Sequence, residues 1–266
     1  MRATKQNTSI ISNENLVGLY HVLKQHGDDI NAEKIIDLFE KKQKDEYTIG
    51  FTGHFSAGKS SLINALIGSD LLPKSPIPTS ANIVKLTSGE GVARVFFHHE
   101  QPVEYNEPYD IDMIKDFAKD KDTIKKIEIN SSQPLIPANC SIFDTPGIDA
   151  ADDTDRMITE SSLHLVDVLV YVMDYNHVQS EVNLMFLQSI QSMKIPFYII
   201  INQIDKHNET ELTFTSFETS VKQTFDEWGL SPEAIYYSSM KDPTVKHNQF
   251  DEIKQKIDYV SQLDLS

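Results

Sequence analysis

The chain of 266 residues carries 40 acidic against 24 basic side chains, a formal net charge of −16 at pH 7, with an ordinary hydrophobic fraction of 39%. That length suits one large domain, or a domain with an appendage. The acidic balance argues against a nucleic-acid binder, which presents a basic face, and gives no sign that this portion clings to anionic lipid. The single cysteine, Cys140, excludes an intramolecular disulfide and fits a reducing compartment. The opening MRATKQNTSIISNENL has no apolar core of the kind a secretory signal needs. No apolar run approaches the about 20 residues of a membrane span.

In chain order, residues 1–46 read as two short amphipathic helices. Leu16, Leu19, Tyr20 and Leu23 recur at helical spacing, as do Ile35, Leu38 and Phe39 after a break at Gly27. YTIGFTG (47–53) reads as a buried strand, and SSLINALIG (60–68) as a helix stopped by Gly68. Between them lies GHFSAGKS. Pro73, Pro76 and Pro78 then make a long loop. NIVKLTSG (82–89) and VARVFFHH (92–99) look like strands around a turn, followed by a charged helix near 109–119 and a strand at 124–130. CSIFDTPG (140–147), VDVLVYVMD (166–174), IPFYIIINQID (195–205) and AIYYSSM (234–240) read as further strands. Helices are expected at 180–193, 209–229 and 245–263, the last carrying Phe250, Ile253, Ile257, Val260 and Leu263 at helical spacing. Apolar strands alternating with helices imply an α/β fold, a mainly parallel central sheet covered on both faces.

GHFSAGKS fits GxxxxGK[ST], the phosphate-binding P-loop, in the required place between strand and helix. The backbone of Gly53, His54, Phe55, Ser56, Ala57, Gly58, Lys59, Ser60 and Ser61 is expected to cradle phosphate oxygens, helped by the helix dipole. Lys59 would reach the β- and γ-phosphates and Ser60 would ligate Mg²⁺. In DTPG (144–147), Asp144 would hold Mg²⁺ through water and the Gly147 N–H would touch the γ-phosphate. NQID (202–205) supplies Asn202, Gln203 and Asp205. The Asp of an N-K-x-D motif accepts two hydrogen bonds that guanine can donate and adenine cannot. Here Gln203 stands in place of the usual lysine. Thr79, with Ser80 as the alternative, lies where a switch residue would close over Mg²⁺ and the γ-phosphate. Ser238 is expected to join the nucleotide-binding set. The pair His98–His99 is expected to face out of a strand, with no metal role.

GHFSAGKSSLINALIG, LLPKSPIPTSANIVKL, CSIFDTPGID, VDVLVYVMDYNHV and INQID together resemble the GTPase domain of bacterial dynamin-like proteins, close to the fused, two-headed dynamins of Gram-positive bacteria. The resemblance runs from about residue 10 to the end. It implies a P-loop GTPase that hydrolyses GTP to GDP and phosphate without a separate exchange factor and is stimulated when two G domains meet across the nucleotide. It implies that Ser56 helps position the attacking water and coordinates a K⁺ or Na⁺ ion replacing an arginine finger, with Thr79 holding the water from the switch side. Phe55 departs from the glutamine of eukaryotic dynamins, and Ile148 stands where a Ras-like enzyme has its water-orienting glutamine. Tyr175, Asn176 and His177 would lie near the G-domain contact.

The resulting expectation is of three parts: N-terminal neck helices (1–46), a dynamin-type GTPase domain (47–240) and a returning neck helix (241–266) that the N-terminal helices pack against. By the same resemblance the chain is a G-domain fragment of a larger protein. That protein would be cytoplasmic, peripheral at the inner face of the cell membrane, and would remodel the membrane through parts not present here. The expected partners are a second copy of the chain and that membrane, with no nucleic acid. The competing expectation is a nucleotide-gated dimerisation switch with negligible turnover.

Overall fold

Short polar side chains start the first two helices. Ser12 accepts the Asn15 N–H at 3.2 Å to open α1 (Asn13–Gln25), and Asp28 accepts the Asn31 N–H at 3.1 Å to open α2 (Asp29–Gln43). Gly27, at φ 73°, allows the tight connection between them. Leu16, Val17, Tyr20, Ile35, Ile36 and Phe39 line an apolar cleft within this pair. Both helices lie in the first of two units into which the chain divides, Met1–Glu46 and Tyr47–Ser266. The computed structural model describes residues 12–54, 56–73, 82–120, 122–148 and 159–262. Phe55, Thr79, Ser80, Arg156 and Leu263 therefore lie outside the described residues.

The second unit is built on β1 (Tyr47–Gly53), β2 (Ile83–Ser88), β3 (Val92–Phe97), β4 (Val103–Asn106), β5 (Ile124–Ser131), β6 (Cys140–Asp144), β7 (Val168–Asp174), β8 (Phe197–Asn202) and β9 (Ile235–Tyr237). They form one sheet in the order β4-β3-β5-β2-β6-β1-β7-β8-β9. The run β6-β1-β7-β8-β9 is parallel throughout. Beyond β6 the sheet turns mixed: β2 is antiparallel to β6, parallel to β5, and β3 is antiparallel to both β5 and β4. The two strands expected around a turn, β2 and β3, are thus not neighbours. β5 lies between them, burying Ile127 and Ile129 while its backbone pairs on both edges. The reversal at Gly91, φ 76°, therefore spans the end of β5 rather than closing a hairpin. β4, an edge strand that is largely exposed, was not expected, because VEYN has no apolar run to announce it.

The sheet carries a core on each face, which is why its central strands β6, β1, β7 and β8 are buried at every position. Val168, Val170 and Val172 of β7 point to one face, with Tyr198 and Ile200 of β8. Leu169, Tyr171 and Met173 point to the other, with Phe197, Ile199 and Ile201. The first face is covered by α3 (Lys59–Ile67), α4 (Ile111–Phe117) and α7 (Phe250–Ser261). The second is covered by α5 (Glu181–Ser192) and α6 (Phe214–Glu227). On α7, Ile253, Ile257 and Val260 recur on one stripe and are buried in the same core as Leu62 and Ile63 of α3. The helix expected at 245–263 thus docks on the sheet of its own unit.

Candidate functional site

The ends of the parallel strands place the chemistry. β1, β6, β7 and β8 deliver Gly53, Asp144, Asp174 and Asn202 to one rim of the sheet, where open α/β folds bind ligands. Gly53 cannot carry a side chain: at φ 141° a Cβ would stand 2.0 Å from the Val172 carbonyl oxygen of β7. The His54 N–H donates to that same oxygen at 3.1 Å, so β7 fixes where the phosphate loop leaves the sheet. Ser56 sits at φ 61° and is exposed, and Gly58 sits at φ 87° as the N-cap of α3. Two left-handed residues so close together curl the loop, and the first amides of α3 follow directly. Lys59, first residue of α3, is buried within this curl, 8% exposed. Ala57 is buried beneath the loop, while Ser60 and Ser61 are half-buried on the first turn.

Opposite the loop, the DTPG turn is tied to β1. The Thr145 hydroxyl and N–H both reach the Phe51 carbonyl at 3.1 Å, and the Ile148 N–H reaches Gly53 O at 3.2 Å. Asp144 is fully buried and accepts the Ser60 hydroxyl at 2.8 Å. A hydroxyl and a carboxylate in contact, beside a phosphate loop, form the hard-oxygen donor pair that suits Mg²⁺. Among the described residues no cluster of three His, Cys, Asp or Glu side chains forms a separate metal centre. His98 and His99 are exposed, their rings 6.2 Å apart.

The NQID turn grips the P-loop with two consecutive amides. Asn202 Nδ2 donates to Ala57 O at 2.8 Å, and Gln203 Nε2 donates to Ser56 O at 2.7 Å. Gln203 reaches it from a left-handed backbone, φ 65°. Behind them Ser238, fully buried, donates to Asn202 Oδ1 at 3.1 Å. The neighbouring Ser239 donates to Asp205 Oδ1 at 2.7 Å. Ser238 thus sets the amide and Ser239 sets the carboxylate. A cleft of about 790 Å³ opens here, bounded by Gly58 and Ser61 at the phosphate end and by Asn202, Gln203, Asp205 and Met240 at the other. Lys206 and Lys241 add positive charge to its wall.

Sequence reasoning did not single out Ser239, Met240, Lys206 or Asn64. Asn64, buried on α3, holds Asp70, Leu71 and Leu72 through both ends of its amide, pinning the start of the proline-bearing loop. Nor did it place Asp174 beside Lys206, whose ammonium donates to Asp174 Oδ2 at 2.6 Å. Burial alone would raise the Asp174 pKa. Lys206, the Asn176 N–H and His177 outweigh it and hold the carboxyl below the usual 3.8. Tyr175 donates to or accepts from His207 Nδ1 at 2.8 Å, and His177 stacks on His54 with ring centroids 4.4 Å apart.

A P-loop at one end of the cleft and an oriented carboxylate at the other fit one class: a P-loop GTPase domain. The model of the dynamin family matches residues 49–205, and the chain belongs to that family. Dynamin-like protein A of Bacillus subtilis is 37% identical over 244 residues, covering 92% of this chain and 20% of that protein. Dynamin-like protein 1 of Campylobacter jejuni is 29% identical over 225 residues, 70% of this chain and 31% of that protein. The chain therefore spans less than a third of the length of these two relatives. A solved structure described as an oligomerised bacterial dynamin pair superposes with a TM-score of 0.60 at 20% identity, covering 92% of this chain and 50% of that one. At that identity the likeness speaks for the fold.

Proposed function

We propose that this domain binds and hydrolyses GTP as the head of a longer dynamin-like protein that remodels membranes, its turnover raised when two such heads pair across the nucleotide. The observation that carries the reading is the pairing of a phosphate loop with an Asp205 carboxylate held in place by Ser239 at 2.7 Å on one cleft. Guanine offers adjacent N–H donors to such a carboxylate, whereas adenine offers an acceptor at the same ring position, so a carboxylate left unpaired discriminates strongly. Ser60 and Asp144, joined by Thr79, would hold Mg²⁺ on the β- and γ-phosphates. That ion neutralises charge on the transferred phosphoryl group. Lys59 supplies the fixed positive charge of the loop. Ser56, exposed at the loop's crest, would take a K⁺ or Na⁺ ion.

Pairing of heads is supported by the family and by the oligomer described for the solved dynamin pair. Action at a membrane rests on the relatives. No helix among the described residues is long and apolar enough to cross one. The test is hydrolysis of GTP and of ATP over a range of protein concentrations, in K⁺ and in Li⁺. Specific activity that favours GTP, rises with concentration and needs K⁺ supports the reading. Nucleotide binding without turnover at any concentration would leave a dimerisation switch instead.

A further inference from the structure

We propose that His177 is a positioning residue for the nucleotide, joining the phosphate loop to the base-reading turn from outside the cleft. The inference rests on the nucleotide-binding reading above. His54 is the second residue of the phosphate loop, and His177 ends the single helical turn Tyr175–His177 that follows β7. Their rings lie face to face, 4.4 Å between centroids and 16° between planes. The same short turn is fixed on its other side. Asp174 accepts the Asn176 N–H at 2.7 Å, lies 3.6 Å from His177 Nδ1, and binds Lys206 at 2.6 Å. Lys206 directly follows the base-reading Asp205 and lines the same cleft. One side-chain path therefore runs from His54 through His177 and Asp174 to Lys206, the residue beside Asp205.

This path is separate from the grip of Asn202 and Gln203, which reaches the loop at Ala57 and Ser56. Those amides hold the middle of the loop; the histidine stack adds a side-chain anchor to its first residues, whose backbone the His54 N–H already ties to Val172 O at 3.1 Å. The backbone bond fixes where the loop leaves β1, and the ring stack limits how the loop turns about that bond. The His177 side chain is 52% exposed, so removing it opens no cavity in the core. Its consequence should appear in nucleotide affinity more than in fold stability. An aromatic pair is worth a factor of roughly 2 to 10 in an equilibrium constant.

The experiment is fluorescence anisotropy with GDP carrying a methylanthraniloyl label, at protein concentrations low enough to keep the chain dilute. His177→Ala should raise the dissociation constant about 2- to 10-fold with the fold intact and only a small change in melting temperature. His177→Phe, which keeps an aromatic face, should return it close to wild type. The double variant His54→Ala/His177→Ala should bind no more weakly than the worse single variant, since both remove one contact. Wild-type affinity in His177→Ala overturns the inference, as does a His177→Phe no tighter than His177→Ala, or additive losses in the double variant. Full affinity in His177→Ala with loss only of concentration-dependent turnover would place the residue at a contact between copies instead. Lys59→Ala separates this from the underlying reading. If the wild type fails to bind the label, or binds it regardless of Lys59, the nucleotide reading falls. If binding depends on Lys59 and not on His177, only the present inference falls.

Discussion

Gln203 donates its side-chain amide to the backbone oxygen of Ser56 at 2.7 Å, so a residue of the NQID turn holds the left-handed Ser56 of the P-loop in place. The departure from the usual lysine in N-K-x-D therefore keeps a donor and gives up a charge. Removing the donor should cost about 0.5–1.5 kcal/mol in nucleotide binding. Gln203→Ala should weaken GTP and ATP alike, because it loosens the loop and leaves Asp205 untouched. Gln203→Lys, which can donate to the same oxygen, should retain wild-type affinity. Isothermal titration with both nucleotides checks this. A selective loss of GTP in Gln203→Ala would mean that the amide reads the base.

Asp174 gives a pH signature. Its carboxyl is held below 3.8 by Lys206, the Asn176 N–H and His177 against the opposing effect of burial. A depressed folded-state pKa contributes stability that is present above 3.8 and is lost as pH falls through that value toward the lower folded one. Asp174→Asn should therefore destabilise at pH 7 and converge with wild type in acid. The Lys206 side chain is 38% exposed, so solvent screening keeps the effect near the low end, about 1 kcal/mol. Urea midpoints at pH 7 and below pH 4 measure it, and a gap that widens in acid would contradict the assignment.

How much of this could be read from sequence depended on whether the signal was local. GHFSAGKS, DTPG and NQID each announce a turn at a strand end, and the core strands announce themselves by unbroken apolar runs such as VLVYVMD. Pairing order is not local, so nothing in VARVFF reveals that it pairs with β5 rather than β2. Of the adjacent Ser238 and Ser239, the sequence points to Ser238 alone, and nothing local shows which of the two meets the carboxylate. Only the alternation at the end of β9 sends one to Asn202 and the other to Asp205. The His54–His177 stack joins residues far apart in the chain, and a histidine in a loop carries no sign of its partner.

Asp205→Asn should weaken GTP and favour xanthosine triphosphate. The amide can donate where the carboxylate only accepts, which matches the extra carbonyl of xanthine. Ser239→Ala should act in the same direction on GTP but more weakly, by about 0.5–1.5 kcal/mol, since it frees the carboxylate without removing it. Competition of the two nucleotides against labelled GDP measures both. An unchanged preference in Asp205→Asn would remove it from base recognition.

Lys59→Ala should abolish turnover and lower affinity by about 1.5–3 kcal/mol, the worth of one charge-assisted hydrogen bond. The lysine is buried in the loop, and the helix amides that remain carry only partial charge. Single-turnover hydrolysis measures the effect, and wild-type rates in the variant would rule out the phosphate-loop assignment.

The last prediction concerns what balances the charge that builds on the transferred phosphoryl group. Ile148 follows the DTPG turn, is buried, and has its N–H taken by Gly53 O at 3.2 Å, so no glutamine stands there to orient water. The chain's arginines are Arg2, Arg94 and Arg156. Arg94 lies on β3, paired with Glu104 at 2.5 Å, on the far part of the sheet from the cleft. Arg2 and Arg156 lie outside the described residues. A preorganised positive partner is still required for the transition state. In the proposed reading Ser56 is the place: the residue is exposed, and Gln203 Nε2 donates to its carbonyl at 2.7 Å. A K⁺ or Na⁺ ion there, closed in by a second head, would supply the charge. Ser56→Ala should therefore lower kcat by about 10- to 1,000-fold while changing GTP affinity little, since the interaction belongs to the transition state. Wild-type turnover should rise with protein concentration in K⁺ and stay near the dilute rate in Li⁺. Arg156→Ala should keep most activity. Full activity in Ser56→Ala, indifference to the cation and loss of activity in Arg156→Ala would together assign the role to an arginine finger.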